Sequence, residues 1–138
     1  MIGISKGIIV KAGLIMSGKL INNIDELQIS IRHKNFISVL LENIKSDNRV
    51  SKIILFGSCA KGNANDRSDI DILITTHEDI GEEQELEFYD YLPPYNENYV
   101  PCDLLIMPEK RYEENKKKPF YVQKYINKHG VELSGLLQ

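Results

Sequence analysis

The sequence predicts one α/β (α+β) layer domain, on three observations. Apolar residues recur at helical spacing across residues 36–44. Three short runs rich in β-branched or aliphatic residues, at 50–56, 69–75 and 103–107, have strand length. Further helical patterns separate and follow those strands. A chain of 138 residues has room for one such domain.

In chain order, residues 1–23 are unassigned. Their Ile-rich pieces at 7–10 and 14–16 suggest a short hairpin or an arm, and residues 24–138 form the domain. The pattern turns helical from Asn23 or Asp25. Phe36, Ile37, Leu40, Leu41 and Ile44 make one apolar stripe, with Glu42, Asn43 and Lys45 opposite, and Asp47-Asn48 ends the helix. Residues 50–56 (VSKIILF) read as a buried strand ending at Gly57. In the second strand, 69–75 (DIDILIT), alternation puts Asp69, Asp71 and Leu73 on one face and Ile70, Ile72 and Ile74 on the other. Residues 81–92 form an acidic helix stopped by Pro93-Pro94. Residues 103–107 (DLLIM) are a third strand closed by Pro108. A last helix spans 119–129, with Pro119 near its start and Gly130 as a left-handed cap, and residues 131–133 add a short edge strand.

Composition narrows the function classes. The apolar share of 42% and charged share of 27% are those of ordinary globular domains. A formal charge of -3 argues against a general nucleic-acid clamp, so nucleic acid is not expected as a direct substrate. The run Lys116-Lys117-Lys118, near Lys110 and Arg111, reads as a solvated strip, with a local basic groove as the competing reading. No stretch reaches the roughly 18–20 apolar residues of a membrane span, and the N-terminal segment lacks the form of a signal peptide. Cys59 and Cys102 have neither disulfide nor zinc spacing and read as small buried thiols in a cytoplasmic protein. His33, His77 and His129 are scattered and receive no chemical role. Tyr89, Tyr91, Tyr95 and Tyr99 suit core packing or a partner surface better than base stacking.

One constellation carries chemistry: Gly57-Ser58, ten residues, Asp69-Ile70-Asp71, then Asp103 opening the next strand. Strand geometry aims Asp69 and Asp71 the same way, with Cα atoms roughly 6.5–7 Å apart. Carboxylates that close repel unless a cation lies between them. With Asp103 they make three hard oxygen ligands, a donor set suited to Mg²⁺ and phosphate oxygens, and two such ions can hold both oxygens of an in-line displacement. Gly57-Ser58, at the mouth of a short helical turn over residues 60–62, suits a phosphate cradle, with Lys61 or Arg67 adding positive charge. Residues 57–62 have the gap of a P-loop, but Asn63-Ala64 stands where Lys-Ser/Thr is required. The Asn- and Asp-rich stretch 63–71 lacks the glycine and closing glutamate of a calcium loop.

The string from Gly57-Ser58-Cys59-Ala60-Lys61-Gly62 to Ser68-Asp69-Ile70-Asp71-Ile72-Leu73-Ile74 resembles the signature of the DNA polymerase β-type nucleotidyltransferase superfamily, and within it the minimal nucleotidyltransferases (MNT proteins). The resemblance covers roughly residues 37–133, including Phe120-Tyr121 and Gly130-Val131-Glu132-Leu133. It departs at Lys61, where many relatives carry arginine, and at Cys59. It implies a small mixed sheet flanked by helices, with Asp69, Asp71 and Asp103 as ligands of Mg²⁺ (two ions, or Mn²⁺ in its place). Asp103 would also help deprotonate the acceptor, and Gly57, Ser58, Lys61, Arg67 and Ser68 would bind the nucleotide. The implied activity moves a nucleotide monophosphate, AMP from ATP, to a hydroxyl on a partner protein, such as a HEPN-type toxin for which the chain is the antitoxin. The alternatives are a non-catalytic scaffold for that partner and an aminoglycoside-type enzyme, which at this length would need a homo-oligomer to hold its acceptor.

Overall fold

The computed structural model describes residues 19–137. The hairpin or arm expected at residues 7–16 lies outside the described residues. Residues 19–23, counted with that arm, join the domain instead: strand β1 (Lys19–Leu20) pairs in parallel with the last strand, and Ile21 is buried.

Asn23 caps a short 3-10 turn, Ile24–Glu26, through a complete capping box. The helix expected from this point begins later, as α1 (Ile31–Ile44), because Ser30 accepts a hydrogen bond from the His33 amide and starts a new helix there. Its stripe of Phe36, Ile37, Leu40, Leu41 and Ile44 is buried. Strand β2 (Val50–Phe56) has the expected bounds, and β3 (Ile70–Thr76) starts one residue later than expected. Between them Ser58–Lys61 form a single helical turn, α2. The acidic helix is α3 (Gly81–Glu87), continued as a 3-10 turn over Phe88–Tyr91. Strand β4 (Cys102–Pro108) runs directly into α4 (Glu109–Asn115), a helix the charge-rich sequence did not suggest. Helix α5 (Val122–His129) leads to β5 (Val131–Glu132).

The sheet order is β1-β5-β2-β3-β4. Parallel pairs (β1·β5, β3·β4) flank antiparallel ones (β5·β2, β2·β3), so this is a mixed sheet. Strand β5 is not an edge: it lies between β1 and β2. Gly130 also departs from expectation. Its φ of -74° and ψ of 162° are extended, not left-handed. Glycine is needed there for space, since a Cβ would lie 2.5 Å from the Ile126 carbonyl oxygen and 2.6 Å from Ile54 Cγ2.

Alternation along the strands divides the core into two layers. Ile53, Leu55, Ile70, Ile72 and Ile74 pack with α1. Ile54, Leu73 and Met107 pack on the other face with Tyr112 of α4 and Ile126 of α5. Asp71 shares that second face, two residues before Leu73. The carboxylate is half-buried there, where the α1 face would have sealed it in the core.

Candidate active site

The C-terminal end of β2 meets the N-terminal ends of β3 and β4, and of the expected residues Gly57, Asp71 and Asp103 meet at this edge. Asp71 has Phe56 beside it on one strand and Asp103 on the other, as register partners. Neighbouring strands lie about 4.8 Å apart, and register partners in a parallel pair share a face, so the Asp71 and Asp103 side chains rise side by side. Asp69 immediately precedes β3 and lies outside its register. Asp71 is half-buried, while Asp69 and Asp103 are exposed.

This crowding has an electrostatic consequence. Burial, then Asp103, then Asp69 raise the Asp71 carboxyl above the ordinary carboxylate range. The same charges reach the cysteines. Burial first, then Asp71 and Asp69, push the Cys59 thiol up to about 11. Burial, followed by Asp103, Asp71, Cys59 and Asp69, pushes Cys102 up to about 12. Burial and the neighbouring carboxylates both disfavour the thiolate form that a cysteine nucleophile needs. As placed, no three His, Cys, Asp or Glu side chains among the described residues stand close enough together to hold a metal ion.

Gly57 brings the turn against this cluster. Its φ of 76° and ψ of -157° fall in a region essentially confined to glycine. A Cβ at this position would lie 2.5 Å from Asp71 Oδ2. The backbone thus approaches the carboxylate as closely as only a bare Cα permits. The Gly57 carbonyl accepts from the amides of Ala60 and Lys61, and the first amides of α2 have no acceptor within that turn.

The remaining expected residues spread around this edge. Exposed Lys61 donates to the Tyr125 hydroxyl at 3.2 Å, with its ammonium 5.6 Å from that ring's centroid. Arg67 is exposed on the loop before β3, its backbone amide donating to Asn65 Oδ1. The Ser68 hydroxyl accepts from the Asn65 amide and so closes that loop.

Two residues that sequence reasoning passed over hold these loops. Buried His33 donates through Nε2 to the Ser68 carbonyl at 2.8 Å, while its Nδ1 lies 2.6 Å from the Ser30 hydroxyl. Arg32 donates to the carbonyls of Tyr99, at 2.8 Å, and Asp66. Helix α1 therefore clamps the segments leading into β3 and β4. The only available signal was polar residues in the first turn of an amphipathic helix. Most of the tyrosine cluster is structural: Tyr89 donates to the Leu104 carbonyl, Tyr91 to Asp47, and Tyr99 packs edge-on against Phe36.

The model of the nucleotidyltransferase domain family matches residues 37–132, a span that contains the turn and all three aspartates. The chain belongs to the nucleotidyltransferase domain family. Its general function is accordingly nucleotidyl transfer. The chain is also similar to one solved structure, a provisionally assigned nucleotidyltransferase from Sulfolobus solfataricus. That likeness has 18% identity and a TM-score of 0.45, and covers 73% of this chain and 84% of the other. The curated proteins contain no significant match. No helix of this nucleotidyltransferase, among the described residues, is long and apolar enough to cross a membrane.

Proposed function

We propose that this nucleotidyltransferase moves AMP from ATP to a hydroxyl on a partner protein, with Mg²⁺ or Mn²⁺ as its cofactor. The observation carrying this reading is the register pairing of Asp71 with Asp103 beside the Gly57 turn.

The donor chemistry suits a divalent cation: Asp71 and Asp103 are register partners with hard carboxylate oxygens, although the three carboxylates do not converge on one point as placed. Asp71 is crowded by two other carboxylates and by burial, a repulsion that a bound cation relieves. Asp69, Asp71 and Asp103 are the residues that would hold a pair of such ions. When bound, the metal supplies neutralisation of the charge on the transferring phosphoryl group. The first amides of α2 and the Ser58 hydroxyl are donors for the triphosphate oxygens, with the Lys61 and Arg67 charges nearby and Ser68 shaping the loop. Exposed Asp103 accepts the proton of the acceptor hydroxyl on a carboxylate oxygen. The acceptor oxygen then bonds to the α-phosphorus, the bond to the β-phosphate oxygen breaks, and pyrophosphate leaves.

A single small sheet carries the site among the described residues, which supports an acceptor supplied by a second molecule. In this reading the partner is a HEPN-type ribonuclease and the chain its antitoxin. Incubation with ATP labelled at the α-phosphate, Mg²⁺ and the product of a neighbouring gene tests it. Label on the partner, none when the γ-phosphate is labelled, and none with Asp71→Asn is the expected pattern. An unlabelled partner alongside an active control enzyme counts against it. The exposed aromatic residues of α5 favour one second reading, neutralisation by contact alone. An Asp69→Asn, Asp71→Asn double variant that still neutralises the partner establishes that reading.

A further inference from the structure

Two faces of this molecule, far apart in sequence, are opposite in charge and alike in exposing apolar side chains. From residue 116 to residue 130 there is no Asp or Glu, although the whole chain is net acidic. Around α5 this segment exposes Phe120, Tyr121 and Tyr125 beside Lys118, Lys124 and Lys128. From residue 78 to residue 109 there is no Lys or Arg. On and just after α3 this second segment exposes Glu82 and Glu83 together with Leu86 and Tyr89. Among the described residues, none of these lysines or glutamates has an ion-pair partner within the chain.

The basic face is built for contact. Phe120 holds a φ of 69°, an outlier for a bulky residue, while its side chain is fully exposed. The lysines already occupy ring faces: Lys118 lies 5.5 Å from the Tyr121 ring and Lys61 5.6 Å from the Tyr125 ring. Tyr125 also packs against His129, at 4.8 Å between centroids. Rings occupied in this way are poor platforms for nucleic-acid bases, which need a free face. A carboxylate-rich surface with its own apolar side chains suits the strip better, and α3 of another copy has that chemistry.

We infer that the basic aromatic strip around Phe120 and α5 docks the acidic face of α3 from a second copy of this chain. The contact is heterologous, since the two faces differ, and therefore closes reciprocally, forms a ring, or propagates. Through the Lys61–Tyr125 contact, the docked copy lies beside the Gly57–Ser58 turn. The inference is independent of any particular acceptor.

Sedimentation velocity over a concentration series tests it. Association of the wild type is expected at low salt, weakening as salt screens the charges. Lys124→Glu with Lys128→Glu, and separately Glu82→Lys with Glu83→Lys, should each be monomeric and still fold cooperatively, with melting temperatures lowered only slightly because reversing Lys128, Glu82 and Glu83 opposes the helix dipoles. An equimolar mixture of the two should associate again. Phe120→Gly, which removes both the anchor and its unfavourable φ, should weaken association without lowering the melting temperature. A wild type monomeric at every concentration, charge-reversed variants that still associate alone, or a mixture that stays apart overturns the inference. So does a monomeric wild type whose α5 variant loses binding to a single-stranded oligonucleotide, which assigns the strip to nucleic acid.

Discussion

Asp71 shows how a residue suited to binding can oppose folding. Burial and two neighbouring carboxylates disfavour its charged form, so at neutral pH its charge works against the native state. Asp71→Asn is therefore expected to raise the melting temperature in metal-free buffer while abolishing nucleotidyl transfer, by calorimetry and label transfer respectively. A lower melting temperature would show the carboxylate to be stabilising. Gly57 gives the complementary case. Gly57→Ala forces a Cβ onto Asp71 Oδ2 in a backbone region alanine avoids, so a loss of about 1–3 kcal/mol in denaturant unfolding is expected, together with loss of activity. Unchanged stability would mean the turn adopts another conformation. The aspartates were legible in the sequence because strand alternation fixes their face and the next strand opens on a third. Arg32 and His33 were not, because their roles depend on carbonyls 34 to 67 residues away.

Among the elements, the start of β2 is held by a side-chain network at the end opposite the site. Asp47 accepts from Arg49 at 2.6 Å and 2.9 Å and from the Tyr91 hydroxyl at 2.8 Å, and Arg49 reaches Glu87 at 2.9 Å while covering the Phe88 ring. These contacts, led by the Arg49 guanidinium, lower the Asp47 carboxyl to about 2. A depressed carboxylate stabilises the fold above its unfolded pKa near 3.8, and that stability is lost as pH falls through the folded value. The contribution is about 2 kcal/mol. Asp47→Asn should therefore cost about that much at pH 7 and little below pH 2, in urea midpoints measured at both, and leave label transfer at pH 7 intact. An equal loss at both pH values would contradict the assignment. Period and punctuation made α1, β2, β3 and β4 readable in the sequence. Helix α4 escaped notice because its only buried residue, Tyr112, gives no periodic pattern. Gly130 was misread because its requirement is a tertiary one, the space between α5 and β2, which local turn chemistry does not encode.

For the molecule as a whole, the fold class was readable and the sheet order was not. β1 pairs with β5 across more than a hundred residues, and two-residue strands carry no periodicity of their own. The same topology decides the site, because parallel pairing of β3 with β4 sets Asp103 beside Asp71 on the face away from α1. The central claim is that three carboxylates from this edge bind a divalent cation together with a nucleotide. Titration with Mn²⁺ in the presence of a non-hydrolysable ATP analogue, followed by electron paramagnetic resonance, measures it. The account predicts bound Mn²⁺ for the wild type and at least tenfold weaker binding for both Asp71→Asn and Asp103→Asn, since a lost charged ligand is worth about 1.4 kcal/mol or more. Equal Mn²⁺ binding by wild type and both variants would contradict it.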